Sequence, residues 1–158
     1  MKFNKKIKNL LIIVLSTLAI SACSTAKKTS IGSGDVYTGN ATVEYLASGV
    51  KDRVFYATNS SALTTASRDT LRKQANYLRK NKKLNVVLEG HGDERGTREY
   101  NLALGEKRAN SAKDYLMTYG ISGKRISVIS YGKEKPVNPA STPLAWSQNR
   151  RAVTIKAK

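Results

Sequence analysis

The chain has 158 residues, of which 40% are hydrophobic and 25% charged, a composition typical of one globular domain and not of a largely disordered chain. Its 28 Lys and Arg residues outnumber 11 Asp and Glu residues, and the formal net charge of +17 indicates an anionic partner. A single cysteine excludes an intramolecular disulfide and any zinc or redox site built from paired cysteines.

Residues 1–22 have the features of a bacterial signal peptide. Four lysines precede an almost unbroken apolar run over residues 10–20, which is too short to span ~30 Å of hydrocarbon as a permanent helix. The run ends in Ser21-Ala22-Cys23, the order of a lipobox, and this predicts that Cys23 is lipidated and becomes the mature N-terminus. The alternative is ordinary secretory cleavage, with Cys23 as an incidental thiol.

The residue after the cysteine predicts the compartment. Bacterial lipoproteins retained at the inner membrane typically carry Asp at this position, whereas this chain has Ser24, so we expect the outer membrane. Removal of residues 1–22 takes away four lysines and no acidic residue, and leaves a net charge of +13. In this compartment the available anions are cell-wall carboxylates and lipid phosphates, and nucleic acid is not expected as a partner.

Three regions are predicted along the chain. Residues 1–22 are the cleaved signal peptide, and residues 23–40 are the lipidated N-terminus and a flexible tether rich in Ser, Thr, Gly and Lys. Residues 41–158 form one domain, whose first residues, 41–49, are predicted to make one or two helical turns.

The rest of this domain alternates strands and helices. Strands are predicted at residues 53–56, 84–89, 126–130 and 152–155, and helices at 63–80 and 97–119, with a short helix near 144–148. The order β-α-β-α-β-loop-β predicts an α/β (α+β) two-layer sandwich with the helices packed on one face of a mixed sheet. The positive run at residues 79–83 is interpreted as a solvated helix end.

Polar residues around the start of the second long helix form the candidate site. Asp93 lies in the loop between a strand and this helix, a common place for ligands in α/β proteins. Asn101, Leu104 and Arg108 share one helical stripe beside the small-residue face, and we expect them at the rim of a pocket. A carboxylate and a guanidinium facing one cleft would suit a zwitterionic ligand. The equally weighted alternative is that Asp93 and its acidic neighbours favour the helix dipole and that Arg108 pairs with Asp93 or Glu94.

The motifs in this region closely resemble the OmpA-like peptidoglycan-binding domain, over residues 53 to 155. They include Gly-His-Gly-Asp-Glu-Arg-Gly-Thr at 90–97, Ser-Tyr-Gly-Lys-Glu-Lys-Pro at 130–136 and Asn-Arg-Arg-Ala-Val at 149–153. The resemblance implies non-covalent binding of the diaminopimelate stem peptide of peptidoglycan. It implies that Asp93 and Arg108 grip the amino-acid end of diaminopimelate, that Asn101 and Leu104 occupy further pocket positions, and that Thr97 lies at the pocket wall.

One position departs from the family pattern. Relatives usually carry an acidic residue shortly after the first strand, whereas this chain has Ala57 there, and Asn59 stands where a second Asp is frequent. We expect this loss to weaken contact with the peptide amine without removing the Asp93/Arg108 pair.

The resemblance also implies a role and a partner. Lipoproteins with this domain tether the outer membrane to the wall, act with the periplasmic protein TolB in envelope integrity and division, and are neither enzymes nor cofactor-dependent. The alternative is a generic wall-binding lipoprotein of this family that takes no part in the Tol system. His91 is the only histidine, and a lone histidine at a strand end is more often structural than catalytic.

Overall fold

The computed structural model describes residues 45–157, and the structural statements that follow concern this part of the chain. Cys23, the signal peptide and the tether lie outside it. The helices and strands in chain order are β1 Tyr45–Ala47, β2 Val50–Lys51, β3 Arg53–Phe55, α1 Thr65–Lys80, β4 Val86–His91, α2 Arg98–Thr118, a 3-10 turn Gly123–Arg125, β5 Ile126–Gly132, α3 Pro143–Asn149 and β6 Arg151–Lys156.

The main sheet has four strands in the order β3-β6-β4-β5. β4 and β5 are parallel, joined by the α2 crossover, whereas β6 runs antiparallel to both β3 and β4. β3, β4 and β5 therefore end at the same edge, and β6 begins there. The α/β two-layer architecture with a mixed sheet is confirmed.

The core lies between the sheet and the two long helices. Alternating residues of β4, Val86 and Leu88, are 1% exposed and face Leu71 of α1 and Leu116 of α2 within one apolar cluster. The predicted small-residue face of α2 is confirmed as buried, and it comprises Gly105, Ala109, Ala112 and Leu116. Each long helix begins with a threonine cap, Thr64 for α1 and Thr97 for α2.

Two glycines allow α2 to lie directly against β4. A Cβ atom built on Gly90 would collide with the carbonyl oxygen of Gly105, and one built on Gly105 would lie 3.0 Å from the Gly90 oxygen. A Cβ atom on Gly105 would also collide with the Ser130 hydroxyl oxygen. At Gly90 the colliding atom belongs to the main chain, so a methyl group there would require the backbones to move. This close approach brings the first turns of α2 onto the carboxyl end of β4.

The prediction for residues 41–49 is wrong where the structure describes them. Residues 45–51 form a two-stranded antiparallel hairpin, β1 and β2, with Gly49 at a φ of 73° in the turn. The segment is too short to show whether its apolar period is helical, and strand pairing satisfies its backbone. The other predicted strands and helices exist, with ends shifted by a few residues. Within residues 45–157, none of the helices has the length and apolarity that crossing a membrane requires.

Candidate functional site

A cleft of about 400 Å³ opens at the edge of the sheet where β3, β4 and β5 end and β6 begins. The loop 92–97 leads from β4 into α2 along one side of it. The lining residues come from three loops and from α2, and they are Thr58, Asn59, Asp93, Arg95, Gly96, Tyr100, Asn101, Leu104, Arg108 and Arg150. The structure thus brings together Asp93, Asn101, Leu104 and Arg108, four of the residues expected to bind peptide.

Asp93 is buried and bound by two arginines. Its Oδ2 lies 2.6 Å from a terminal nitrogen of Arg95 and 3.3 Å from one of Arg150. Burial by itself raises the pKa of the Asp93 carboxyl, but hydrogen bonds from Arg95 and Arg150 outweigh burial and hold the pKa below its usual value. The group is therefore a carboxylate at neutral pH, in position to bind a cation.

The two arginines differ in how freely they can leave Asp93. The Arg95 side chain is 42% exposed, whereas that of Arg150 is 4% exposed and also donates from Nε to the Tyr56 carbonyl at 3.1 Å. The Arg95 guanidinium lies 4.4 Å from the ring centroid of Trp146, a cation–π contact at the protein surface. Arg95 is the partner that an incoming ammonium can replace, and Arg150 is a fixed part of the site.

Arg108 is 1% exposed and is held by backbone carbonyls. Its guanidinium donates to the oxygens of Ser60 at 2.9 Å, His91 at 2.8 Å and Ala57 at 3.1 Å. Three of its five N–H groups are thereby used, and because Arg108 lines the cleft the other two could serve a ligand. Burial lowers the pKa of Arg108 to about 10, aided by the charge of Arg150 and opposed by Asp93, so it stays a cation at neutral pH.

Asn101 and Arg108 lie deeper than the sequence predicted, and the alternative for Arg108 is not observed within residues 45–157. Asn101 and Arg108 were expected at the pocket rim, but they are 2% and 1% exposed and form its floor, because the carbonyls of the β3 and β4 loops close over them. The alternative of an ion pair with Asp93 or Glu94 is not seen among the described residues. Glu94 accepts instead from Trp146 Nε1 at 2.8 Å and from a serine hydroxyl of the 133–142 loop at 2.9 Å.

Asn101 and Thr97 position the loop more than they face the cleft. The Asn101 amide donates to the carbonyls of Arg95 at 2.7 Å and Thr97 at 3.1 Å, which fixes the loop against α2. A Cβ atom on Gly92 would collide with the Asn101 side-chain oxygen, so this arrangement requires glycine there. Thr97 does not line the cleft: its hydroxyl accepts the Tyr100 backbone N–H at 3.1 Å and caps α2.

The position that departs from the family pattern contributes backbone atoms only. The Ala57 carbonyl oxygen accepts a hydrogen bond from Arg108. The hydroxyl of neighbouring Thr58 accepts one from Arg95 at 3.4 Å. Asn59 accepts the Tyr100 hydroxyl at 3.1 Å and adopts a φ of 51°, a left-handed conformation that asparagine tolerates better than most residues. This side of the cleft is therefore uncharged.

His91 is buried beneath the site as a neutral ring. It is 2% exposed, lies 5.6 Å from the Tyr131 ring, and has no hydrogen-bond partner for either ring nitrogen within residues 45–157. Burial, together with the charges of Arg151, Lys135 and Arg53, lowers its pKa to about 3. Its Nε2 lies 3.7 Å from a Glu89 oxygen, but because the ring is neutral this contact is not an ion pair. Only its backbone carbonyl serves the site, through Arg108.

Sequence reasoning did not select Arg150 or Arg95 as site residues. Arg150 could have been suspected, since two consecutive arginines directly before the apolar strand at 152–155 require partners for buried charge. Arg95 lies two positions after Asp93, and a basic residue this close to an acidic one is a local signal that could have indicated the pair. Tyr100 gives no comparable signal, because its partner Asn59 lies 41 positions away along the chain.

The assembled cleft holds three guanidinium groups and one carboxylate. It therefore carries excess positive charge while retaining one place for a cation, and this suits a small ligand with carboxylate and ammonium groups. Within the described part of the chain there is no cluster of His, Cys, Asp and Glu that could hold a metal ion.

Comparisons with known proteins show the family of the chain. The chain is 42% identical over 150 residues to a peptidoglycan-associated lipoprotein of Mesorhizobium japonicum, covering 91% of this chain and 89% of that protein. It is 35% identical to one of Haemophilus influenzae, covering 95% and 97%.

Solved structures show the same fold. The peptidoglycan-associated lipoprotein of Burkholderia pseudomallei is 36% identical, with a TM-score of 0.66 over 68% of this chain and 91% of that chain. The C-terminal domain of Helicobacter pylori MotB shares the fold at 20% identity, with a TM-score of 0.63 over 68% and 84%. The model of the OmpA family matches residues 55–150, which span every residue that lines the cleft. The chain therefore belongs to the OmpA family.

Proposed function

We propose that this chain is an outer-membrane lipoprotein that binds diaminopimelate stem peptides of peptidoglycan and tethers the outer membrane to the cell wall. The observation that carries the proposal is the buried Asp93 carboxylate in a cleft with Arg108 and Arg150. The relatives named peptidoglycan-associated lipoproteins support it. The cleft acts as a binding site, and we propose neither catalysis nor a cofactor.

The ligand chemistry follows from the charges. The free end of diaminopimelate carries an ammonium and a carboxylate on one carbon. The ammonium replaces Arg95 at Asp93, and the carboxylate binds the remaining N–H groups of Arg108 beside Arg150. Leu104 lines the cleft next to them and offers an apolar contact to the methylene chain of the ligand. Each charge-assisted hydrogen bond is worth ~1.5–3 kcal/mol.

The anchor belongs to the part of the chain before residue 45. We propose that residues 1–22 are cleaved, that Cys23 carries the lipid, that residues 23–40 form the tether and that residues 41–158 form the binding domain. Stable anchoring requires about two acyl chains, which a multiply acylated cysteine provides. Single cleft-to-wall contacts can then be brief, because many anchored copies act together through avidity.

We propose TolB as a protein partner, which modulates wall binding in envelope integrity and division. Capture of purified TolB by the mature chain tests this partnership directly. If TolB is not captured while sacculi are bound, the chain is a generic wall-binding lipoprotein of the family.

The test of the wall proposal is co-sedimentation of residues 24–158, without lipid, with purified sacculi across a salt series. This piece keeps the whole core, which is built from residues between Val54 and Ala152. We expect Asp93→Asn and Arg108→Lys each to weaken binding by roughly tenfold to a hundredfold, because each removes a charge-assisted contact. Asp69→Asn is the matched control, since Asp69 is exposed on α1 outside the cleft.

The peptide itself provides a second comparison. Lysine-type wall peptides lack the distal carboxylate of diaminopimelate, so we expect them to bind more weakly to the wild-type chain. Thermal unfolding of each variant separates a lost contact from a lost fold, which matters most for Arg108. If salt strips all the variants and the wild type together, the basic surface alone is responsible for binding and the cleft assignment is wrong.

A further inference from the structure

The end of the domain opposite the cleft is strongly basic. Seven Lys and Arg residues from three separate segments gather there, and we call this surface the basic end: Arg79, Lys80, Lys82, Lys83, Lys124, Arg125 and Lys156. The segments 79–86, 120–126 and 155–157 contain no Asp or Glu. The cleft end also carries arginines, but Asp93 and Glu134 form ion pairs with three of them, namely Arg95, Arg98 and Arg150. The two ends therefore differ in that the segments of the basic end contain no carboxylate.

The sheet and one structural arginine gather these charges. β6 ends at Lys156 beside Val86, the first residue of β4, and β5 begins next to them. Arg125 donates to the carbonyls of Leu78 at 3.1 Å, Asn81 at 2.8 Å and Leu84 at 2.7 Å, which attaches the loop after α2 to the end of α1. Arg125 therefore has a structural role, whereas most of its basic neighbours do not.

The remaining basic side chains are not neutralised within the domain. In the part of the chain that the structure describes, Lys82, Lys83 and Lys124 make no ion pair with a carboxylate, and all three are exposed. Favourable interaction with a helix C-terminus explains Arg79 and Lys80 in the last turn of α1, but not charges from the loop after α2 or from β6. Positive side chains without a carboxylate partner repel one another when they share a surface, and an anionic partner would relieve this repulsion.

The basic end is also concave. A groove of about 850 Å³ runs between the end of α1 and the loop after α2. Asn76, Arg79, Lys80 and Lys82 line one side, and Ser122 and Arg125 line the other. Ammonium and guanidinium groups around a hydroxyl and an amide are the donors that bind a phosphate diester.

The path of the chain indicates which anionic surface this is. Tyr45, the first described residue, pairs with Lys51, and the next residue, Asp52, accepts from the Thr154 backbone N–H near the end of β6. The chain thus enters the domain on the half of the sheet that carries the basic end. If the proposed tether is flexible, the 21 residues between Cys23 and Tyr45 would span on the order of 25 Å, so a lipid at Cys23 would keep this end close to a membrane.

We propose that the basic end is a second contact surface that binds the anionic phospholipid headgroups of the membrane in which the chain is anchored. The cleft at the opposite end then faces away from the membrane. This inference rests on the proposed anchor only for the identity of the anionic surface, since the charge and the groove belong to the domain itself.

The test uses residues 24–158 without lipid and vesicles of phosphatidylethanolamine with phosphatidylglycerol. Vesicles of phosphatidylethanolamine with phosphatidylcholine serve as the uncharged comparison. We expect sedimentation with the anionic vesicles only, and a binding constant lowered by roughly tenfold or more in R79Q/K80Q/K82Q, because each basic residue contributes separately to headgroup attraction. These three residues are exposed on the groove.

A charge-matched control separates a local surface from net charge. R68Q/K73Q/K107Q removes three exposed basic residues that line neither the groove nor the cleft. We expect its vesicle binding to stay within about twofold of wild type, since screening limits the reach of distant charges. Circular dichroism and thermal unfolding confirm that both triple variants are folded.

The proposal is overturned if both triple variants lose binding equally, or if anionic vesicles are not bound at low salt. It is also overturned if duplex DNA or an acidic protein binds the basic end more tightly than the anionic vesicles do at the same ionic strength. Sacculus binding is measured in parallel. Vesicle binding that survives when sacculus binding fails overturns the wall function alone, and the reverse result overturns only this inference.

Discussion

Asp93 has two guanidinium partners of different kinds, and the difference determines how the cleft can accept a ligand. Arg150 is buried and also bound to the Tyr56 carbonyl, whereas Arg95 lies at the surface over Trp146. A ligand ammonium therefore competes with Arg95 and not with Arg150. Arg150 stays paired with Asp93 whether or not a ligand ammonium has replaced Arg95. The Asp93 carboxylate therefore stays ionised while the ligand exchanges.

Because Arg95 competes with a ligand ammonium for Asp93, removing its charge should change the affinity for peptide in a predictable direction. Arg95→Gln removes the competing cation, so we expect the affinity for a diaminopimelate peptide to rise by about twofold to fivefold, the worth of an exposed ion pair. The pKa of Asp93 should also rise toward its usual value, because hydrogen bonds from Arg95 lower it. Calorimetric titration of the peptide measures the first effect, and carboxyl NMR titration measures the second.

Arg98→Gln is the control for that substitution. It removes the same charge from the first residue of α2, where Arg98 is exposed and paired with Glu134 at 3.2 Å. We expect little change in peptide affinity. A loss of affinity in Arg95→Gln that exceeds any change in Arg98→Gln would mean that Arg95 itself binds the ligand carboxylate and does not compete with the ammonium.

His91 makes the stability of the domain depend on pH. Because burial lowers its folded-state pKa to about 3, below the ordinary 6.5, the unfolded chain takes up a proton between these values that the folded chain does not. Folding stability from this group is therefore complete above pH 6.5 and falls as the pH decreases toward 3. The slope is about 1.4 kcal/mol per pH unit within this window.

His91→Phe tests this assignment. Phenylalanine keeps a ring beside Tyr131 and removes nitrogens that have no partner in the described residues, so at pH 7 we expect a change within ~1–2 kcal/mol. Denaturant unfolding at pH 7, 6 and 5 should then show the slope of the wild type and a much smaller slope in the variant. Glu89→Gln, which alters the nearest carboxylate, should retain the wild-type slope, and an unchanged slope in His91→Phe would contradict the assignment.

At the scale of elements, the contact between α2 and β4 positions the cleft. The first turns of α2 supply Tyr100, Asn101 and Leu104, and they reach the strand ends only because two glycine backbones touch. The periodicity of α2 predicted its small-residue face, because an amphipathic helix shows its buried stripe in the sequence. The periodicity did not predict that Arg108 is buried, because the backbone carbonyls that bind its guanidinium belong to residues distant along the chain.

The close approach predicts a large effect for Gly90→Ala. The added methyl group meets a main-chain carbonyl, so we expect a loss of about 1–3 kcal/mol or more in the free energy of unfolding, together with weaker peptide binding. Gly123→Ala is the control. There the nearest atoms belong to the Met117 side chain, which can move, and we expect a change below about 1 kcal/mol. Equal unfolding energies for the two variants would contradict the close packing of α2 on β4.

The hairpin of β1 and β2 shows the limit of local patterns. Residues 45–51 are too short for helical and strand periods to differ, and pairing with each other and contact with β6 decide their structure. The long elements were predictable because their apolar periods extend over several turns or an entire buried strand. The order of the strands in the sheet was not predictable. A buried strand has the same apolar residues whether its neighbours run parallel or antiparallel to it.

At the scale of the whole molecule, the two proposed binding surfaces lie at opposite ends of the domain. The cleft lies where β4 and β5 end, and the basic end lies where they begin. The proposed tether would enter near the basic end and would leave the cleft free to face outward. The charge run at residues 79–83 was interpreted as a solvated helix end, and only the fold adds Lys124, Arg125 and Lys156 to it.

The sequence by itself determined the elements, the two-layer class and the family motifs, because short-range spacing and residue type encode them directly. It also placed Asp93, Asn101, Leu104 and Arg108 on one loop and one helical stripe. Only the tertiary structure decided that Arg150 binds Asp93, that Arg108 is enclosed by three carbonyls and that the basic segments converge. These features depend on contacts between residues 17 or more positions apart, which sheet order and helix packing create and local sequence does not contain.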